Sequence, residues 1–98
     1  MAELRFEWDP AKAVANERKH GIAFEEAKTV FWDDHARFLE DPEHSEEEDR
    51  FLLLGLSSQA RILVVVHCYR EKADTIRLIS ARRATRAERR YYVERWRP

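Results

Sequence analysis

Apolar spacing divides the chain into eight predicted elements. Residues 5–8 (RFEW) alternate polar and apolar, which predicts a short strand. Asp9-Pro10 then opens a helix, with Asp9 as N-cap and Pro10 at the first helical position, where a missing N–H costs nothing. That helix runs to about His20, and Gly21 supplies the left-handed residue that ends it. Its apolar content is thin (Ala11, Val14, Ala15), which predicts weak packing or cover for a sheet edge. Residues 24–32 carry Phe24, Ala27, Val30 and Phe31 at the spacing of one buried helix face. Ala23 stands where a capping serine is expected, so this second helix begins without a good cap.

Beyond residue 35 the period changes to that of strands. Residues 36–40 predict one strand, and residues 50–56, 61–69 and 75–81 predict three more, with SSQA and EKAD as the turns. RILVVVHCY is apolar on both faces, as expected of a central strand with a helix on at least one side. Thr85 and Glu88 form a capping box that starts a last helix, running to about Trp96. The order β-α-α-β-β-β-β-α predicts an α+β fold: four antiparallel strands, extended to five if the first strand joins, with helices on one face. No repeat or linker interrupts the chain, so residues 1–98 are expected to form one domain.

Composition narrows the class. The chain is 44% apolar with 11 aromatic residues, material for a folded core. No apolar run approaches a membrane helix and the polar N-terminus is no signal peptide. The lone Cys68 excludes an internal disulfide and reads as a buried small hydrophobe rather than a nucleophile. A cytoplasmic protein without membrane contact is expected.

The net charge of −1 conceals a division. Residues 1–49 hold 6 basic and 15 acidic side chains, a balance of −9; residues 50–98 hold 12 and 4, a balance of +8. Seven of the acidic residues lie in EDPEHSEEED (40–49), which predicts a solvated loop, either inert or a guard against random RNA binding. Arginine makes up 14 of the 18 basic residues, and its planar fork matches phosphate and carboxylate bidentately.

Three constellations carry candidate chemistry. The stretch IRLISARRATRAERRYY contains Arg77, Arg82, Arg83, Arg86, Arg89 and Arg90, with Tyr92 and Trp96 on another side of the last helix. A basic face beside aromatic rings suits RNA, an acidic partner, or plain solvation. Lys19-His20 ends the first helix, where a protonated histidine is favoured; the pair suits proton transfer, phosphate polarisation or simple capping. In His67-Cys68-Tyr69-Arg70, alternation puts His67 and Tyr69 on one face, and Arg70 enters the turn toward Arg77, so the two arginines can meet at one phosphate. Asp33, Asp34, His35 and His44 match no metal-site spacing, and no glycine-rich phosphate loop exists, so neither metal nor cofactor is expected.

The blocks FEWDPAKAVANERKHG and ISARRATRAE resemble the BrnT family of bacterial type II toxins. The first carries the family pattern at Phe6 to Asp9, Lys12, Ala13, Asn16, Lys19, His20 and Gly21, the second at Ile79 to Arg82, Ala84, Thr85 and Glu88. The resemblance spans nearly the whole chain; Ala23 departs from the family's usual serine, and the acidic loop falls outside it. It implies a RelE-like fold, an endoribonuclease that blocks translation, and a BrnA-type antitoxin. That antitoxin would have a ribbon-helix-helix domain, form a two-to-two complex and supply the only contact with operator DNA.

The mechanism expected is metal-independent cleavage by the ribose 2′-hydroxyl, which needs cations for the phosphorane charge and groups for proton transfer. Arg70, Arg77 and Arg82 are the expected phosphate stabilisers, His20 with Lys19 the proton-transfer group, and Tyr92 a base-stacking or proton-donating ring. Lys12, Arg83, Arg86, Arg89 and Arg90 are expected to hold RNA. Two other classes fit the same residues: a non-catalytic module that binds RNA or the ribosome, and a protein-interaction domain whose basic face receives an acidic segment.

Overall fold

The computed structural model describes residues 4–40, 50–70 and 74–94. Most of the acidic loop (41–49), part of the second hairpin turn (71–73), and Trp96 with the end of the last helix lie outside them. The elements are β1 (Arg5–Glu7), α1 (Pro10–His20), α2 (Phe24–Ala27) continued by a 3-10 segment (Lys28–Trp32), β2 (Arg37–Leu39), β3 (Phe51–Leu56), β4 (Ile62–Tyr69), β5 (Thr75–Arg83) and α3 (Arg86–Glu94). The five strands form one sheet in the order β1-β5-β4-β3-β2. β2 to β5 make the expected antiparallel meander, and β1 joins as a fifth strand, parallel to β5. The sheet is therefore mixed.

Local chemistry builds the helix ends as the sequence predicts. The Asp9 carboxylate accepts from the Ala11 N–H at 2.9 Å, and Gly21 adopts φ +70°. Thr85 Oγ accepts from the Glu88 N–H at 3.1 Å while Glu88 Oε1 accepts from the Thr85 N–H at 2.8 Å, completing the capping box. Ala23 provides no side-chain cap.

Two apolar layers pack on the sheet. On the front, Ile22, Phe24, Ala27 and Val30 cover Leu53, Leu63, Val65, Ile76, Leu78 and Ala81. On the back, Tyr92 from α3 covers Leu52, Leu54 and Val64. Helices thus lie on both faces, not on one as expected, because β3 and β4 are apolar on both sides and each side needs cover. Gly55 lets the 3-10 segment lie close: a Cβ there would stand 2.8 Å from Val30 Cγ1.

α1 covers a sheet edge, one of the two roles its thin apolar content predicts. Val14 is exposed, and the buried residue of α1 is Asn16. Its side-chain amide donates to the carbonyls of Ile22 and Ala81, both at 2.9 Å, and its oxygen accepts from the Ala81 N–H at 3.0 Å. β1 pairs with β5 only as far as Arg77, so Asn16 takes the place of a strand at the exposed backbone beyond it.

Candidate functional site

Cross-strand register places the arginines of β5. Arg77 pairs with Cys68 and Arg82 with Val64, and these two β4 residues are four apart, hence on one face. The pairing passes from Val66–Ser80 to His67–Leu78, which leaves Ile79 without a partner as a bulge. That extra residue shifts the alternation by one, so Arg77 and Arg82 both project from the back face. Their partners on β4 lie about 13 Å apart at 3.3 Å per residue, so the two arginines span more than one phosphate.

The parallel pairing of β1 sets Glu7 directly beside Arg77. Glu7 Oε2 lies 3.4 Å from Arg77 Nη1 and 3.5 Å from Arg70 Nε, so one carboxylate gathers two guanidinium groups at the end of β4. All three side chains remain partly open to solvent. This cluster has two cations and one anion, the composition needed to bind a phosphodiester and accept a proton beside it. Arg70 and Arg77 both approach Glu7; no local sequence signal points to Glu7, because its partner Arg77 comes to it through parallel pairing.

Arg82 is held differently. Nη1 and Nη2 donate to the Glu88 carboxylate at 2.8 and 3.0 Å, a bidentate pair. Arg82 holds the Glu88 carboxyl below its usual range against the opposing effect of burial, with the Thr85 cap adding to the shift. Glu88 therefore fixes α3 to β5 as well as capping it. On the front, Arg61 Nε donates to Glu26 Oε2 at 2.9 Å and a second guanidinium nitrogen reaches Oε1. Ser57 Oγ donates to Glu26 Oε2 at 2.7 Å. Arg61 above all, with Ser57, keeps the Glu26 carboxyl low despite burial.

The remaining expected residues scatter. Tyr92 is 2% exposed, and its hydroxyl donates to Asp33 Oδ2 at 2.6 Å; it anchors α3 and has no ring face for a base. The expectation of a stacking or proton-donating Tyr92 is thus corrected, because its own ring is what packs α3 onto Leu52, Leu54 and Val64. Asp33 also accepts from the Leu56 and His35 N–H groups, and these bonds outweigh burial to hold its carboxyl low. Lys19 and His20 end α1, ten residues past its start beside β1, and the Asn16–Ala81 bonds tie that helix along β5 away from Arg77. The structure does not bring them to the Glu7 cluster. Lys12, Arg83, Arg86, Arg89 and Arg90 are exposed. Arg83 and Arg89 line a cleft of about 230 Å³ with Arg61.

Comparison with known proteins agrees with this architecture. A family model described as "Ribonuclease toxin, BrnT, of type II toxin-antitoxin system" matches residues 8–88. The fold is similar to the 1.1 Å crystal structure of the Brucella abortus ribonuclease toxin, BrnT, with 21% identity and a TM-score of 0.65. That likeness covers 85% of this chain and 99% of the other. No curated protein matches the sequence.

Proposed function

Since the chain belongs to the BrnT family of ribonuclease toxins of type II toxin–antitoxin systems, we propose that it is a metal-independent endoribonuclease of the cytoplasm that stops translation by cutting RNA. The observation supporting this mechanism is the convergence of Arg70 and Arg77 on Glu7. Glu7 takes the proton from a ribose 2′-hydroxyl, and the 2′-oxygen bonds to the adjacent phosphorus. Arg70 and Arg77 stabilise the charge that builds on the phosphorane oxygens. The P–O5′ bond then breaks, the 5′-oxygen takes a proton from solvent, and a 2′,3′-cyclic phosphate remains.

Arg82 is proposed to steady a neighbouring phosphate. Lys12, Lys19, His20, Arg83, Arg86, Arg89 and Arg90 contribute RNA contacts outside the reaction centre. A BrnA-type ribbon-helix-helix antitoxin, in a two-to-two complex, is the proposed partner that silences the enzyme and carries the only contact with operator DNA.

The test is incubation of the purified chain with RNA in EDTA. New fragments ending in 2′,3′-cyclic phosphate, and no cutting of a strand deoxy at every 2′ position, are expected. Binding without fragments would reduce the chain to an RNA-binding module.

A further inference from the structure

The end of the sheet opposite Arg70 holds a cleft of about 230 Å³ lined by Ala60, Arg61, Ile62, Arg83, Ala84 and Arg89. Three elements deliver its cations. Arg61 directly precedes β4, Arg83 ends β5 opposite Leu63, and Arg89 stands in the first turn of α3. The Ala84 N–H donates to the Ile62 carbonyl at 2.9 Å and joins the two strand ends there.

Charge at this cleft is arranged differently from charge along the rest of β5. Arg70, Arg77 and Arg82 each lie against a carboxylate. Among the described residues, no carboxylate pairs with Arg83 or Arg89. Arg61 is held in place by Glu26, which takes its Nε and one terminal nitrogen, while Ser57 donates to the same carboxylate. Arg61 above all, and through its charge Arg83, holds the Glu26 carboxyl low despite burial.

Three guanidinium groups and one carboxylate leave two positive charges around one small concavity. The neighbouring Arg82–Glu88 pair adds none. Ile62 and the two alanines supply apolar wall, which limits the water that screens these charges. Cations gathered without an anion repel each other, and a ligand with two negative charges removes that repulsion.

We infer that the cleft is a phosphomonoester site, which takes the doubly charged phosphate that ends an RNA strand or stands free in solution. Charge selects this ligand. A monoester carries about −1.5 to −2 near neutral pH and three strong acceptor oxygens, one for each guanidinium group. A backbone phosphodiester, or a single Asp or Glu side chain, brings only one negative charge. The site is separate from the Glu7 cluster: Cys68 and Leu63, the β4 partners of Arg77 and Arg83, are about 17 Å apart at 3.3 Å per residue. It therefore stands whether or not that cluster cuts RNA.

Calorimetric titration tests it with 2′-O-methyl oligonucleotides of one sequence, which resist cleavage. They carry hydroxyl ends, a 5′-phosphate or a 3′-phosphate, and inorganic phosphate is titrated alone. The unaltered protein is expected to bind a phosphate-ended strand roughly tenfold or more tightly than the hydroxyl-ended one, the scale of one added charged hydrogen bond. Arg83→Gln combined with Arg89→Gln should bring that ratio to about one. Arg89→Gln alone, on the helix surface, repeats the measurement where the double variant melts early. Inorganic phosphate that binds the unaltered protein and not the variant, with no preference among strand ends, supports the site and makes free phosphate its ligand. Equal affinity for every strand with no binding of inorganic phosphate overturns the site. An end preference that survives in the double variant overturns it too, and loss of antitoxin binding in its place gives the cleft to an acidic protein segment.

Discussion

Arg77 and Arg82 lie five positions apart on one strand and yet project from the same face, because the Ile79 bulge inserts one unpaired residue between them. Without it, one of the two would face the front apolar layer. Bulges recur where a strand must redirect a side chain. Here the bulge keeps both guanidinium groups on the side where Glu7 and Glu88 wait.

The two arginines are expected to fail differently. Arg77→Ala should lower RNA cleavage by about a hundredfold, the scale for losing one donor to a developing oxyanion, while the melting temperature stays within ~2 °C, a surface-scale effect. Arg82→Ala should lower the melting temperature by roughly 4–8 °C, equivalent to about 1 kcal/mol, because Glu88 loses its bidentate partner. Single-turnover cleavage and thermal melts on both variants check this; equal effects on both readouts would contradict it.

Glu7→Gln keeps the shape of the carboxylate and removes its charge and basicity. Cleavage should fall by 10²-fold or more, within the range for a general base, and the acid limb of the pH–rate profile should disappear. RNA affinity should hold or rise, since two guanidinium groups lose their internal anion. An unaltered pH profile would make Glu7 a positioning residue only.

Asn16→Ala leaves the N–H and carbonyl of Ala81 and the Ile22 carbonyl without their side-chain partner. A loss of about 2–3 kcal/mol is expected, roughly 1 kcal/mol for each of the three groups. Urea unfolding measures it, and a change under 1 kcal/mol would mean that water or the strand edge replaces Asn16.

Tyr92→Phe removes one hydrogen bond to the Asp33 carboxylate, worth about 1.5–3 kcal/mol for a charged acceptor. Stability should drop by that order while cleavage by the folded fraction stays the same. Loss of cleavage at full stability would restore Tyr92 to the reaction centre.

Burial holds the His67 imidazole below its ordinary value of 6.5. The unfolded chain therefore takes up a proton as pH falls through 6.5, and the folded chain does not. Stability from this group is full above 6.5 and is lost as pH falls toward the lower folded-state value. The denaturation midpoint should decline from pH 7 to pH 5 and flatten in His67→Leu. The Glu26 carboxyl, held low by Arg61, adds a second decline only below about 4.5. Parallel pH curves for His67→Leu and the unaltered protein would refute the assignment.

Much of this protein is legible in its sequence because the signals are local. Asp9-Pro10, Gly21 and the Thr85–Glu88 box each fix a helix end through atoms within four residues. The strands follow from apolar period, and the family from two motifs. What the tertiary structure alone decided depends on partners distant in sequence. Glu7 meets Arg77 only through parallel pairing across 70 residues. Tyr92 is an anchor only because Asp33 lies 59 residues away at the sheet's edge. No glycine or proline marks the Ile79 bulge; the requirement to keep Leu78 and Ala81 in one core layer sets it. Periodicity says that a side chain points away from its neighbours, but the register between strands, fixed by packing on both faces, decides what it meets.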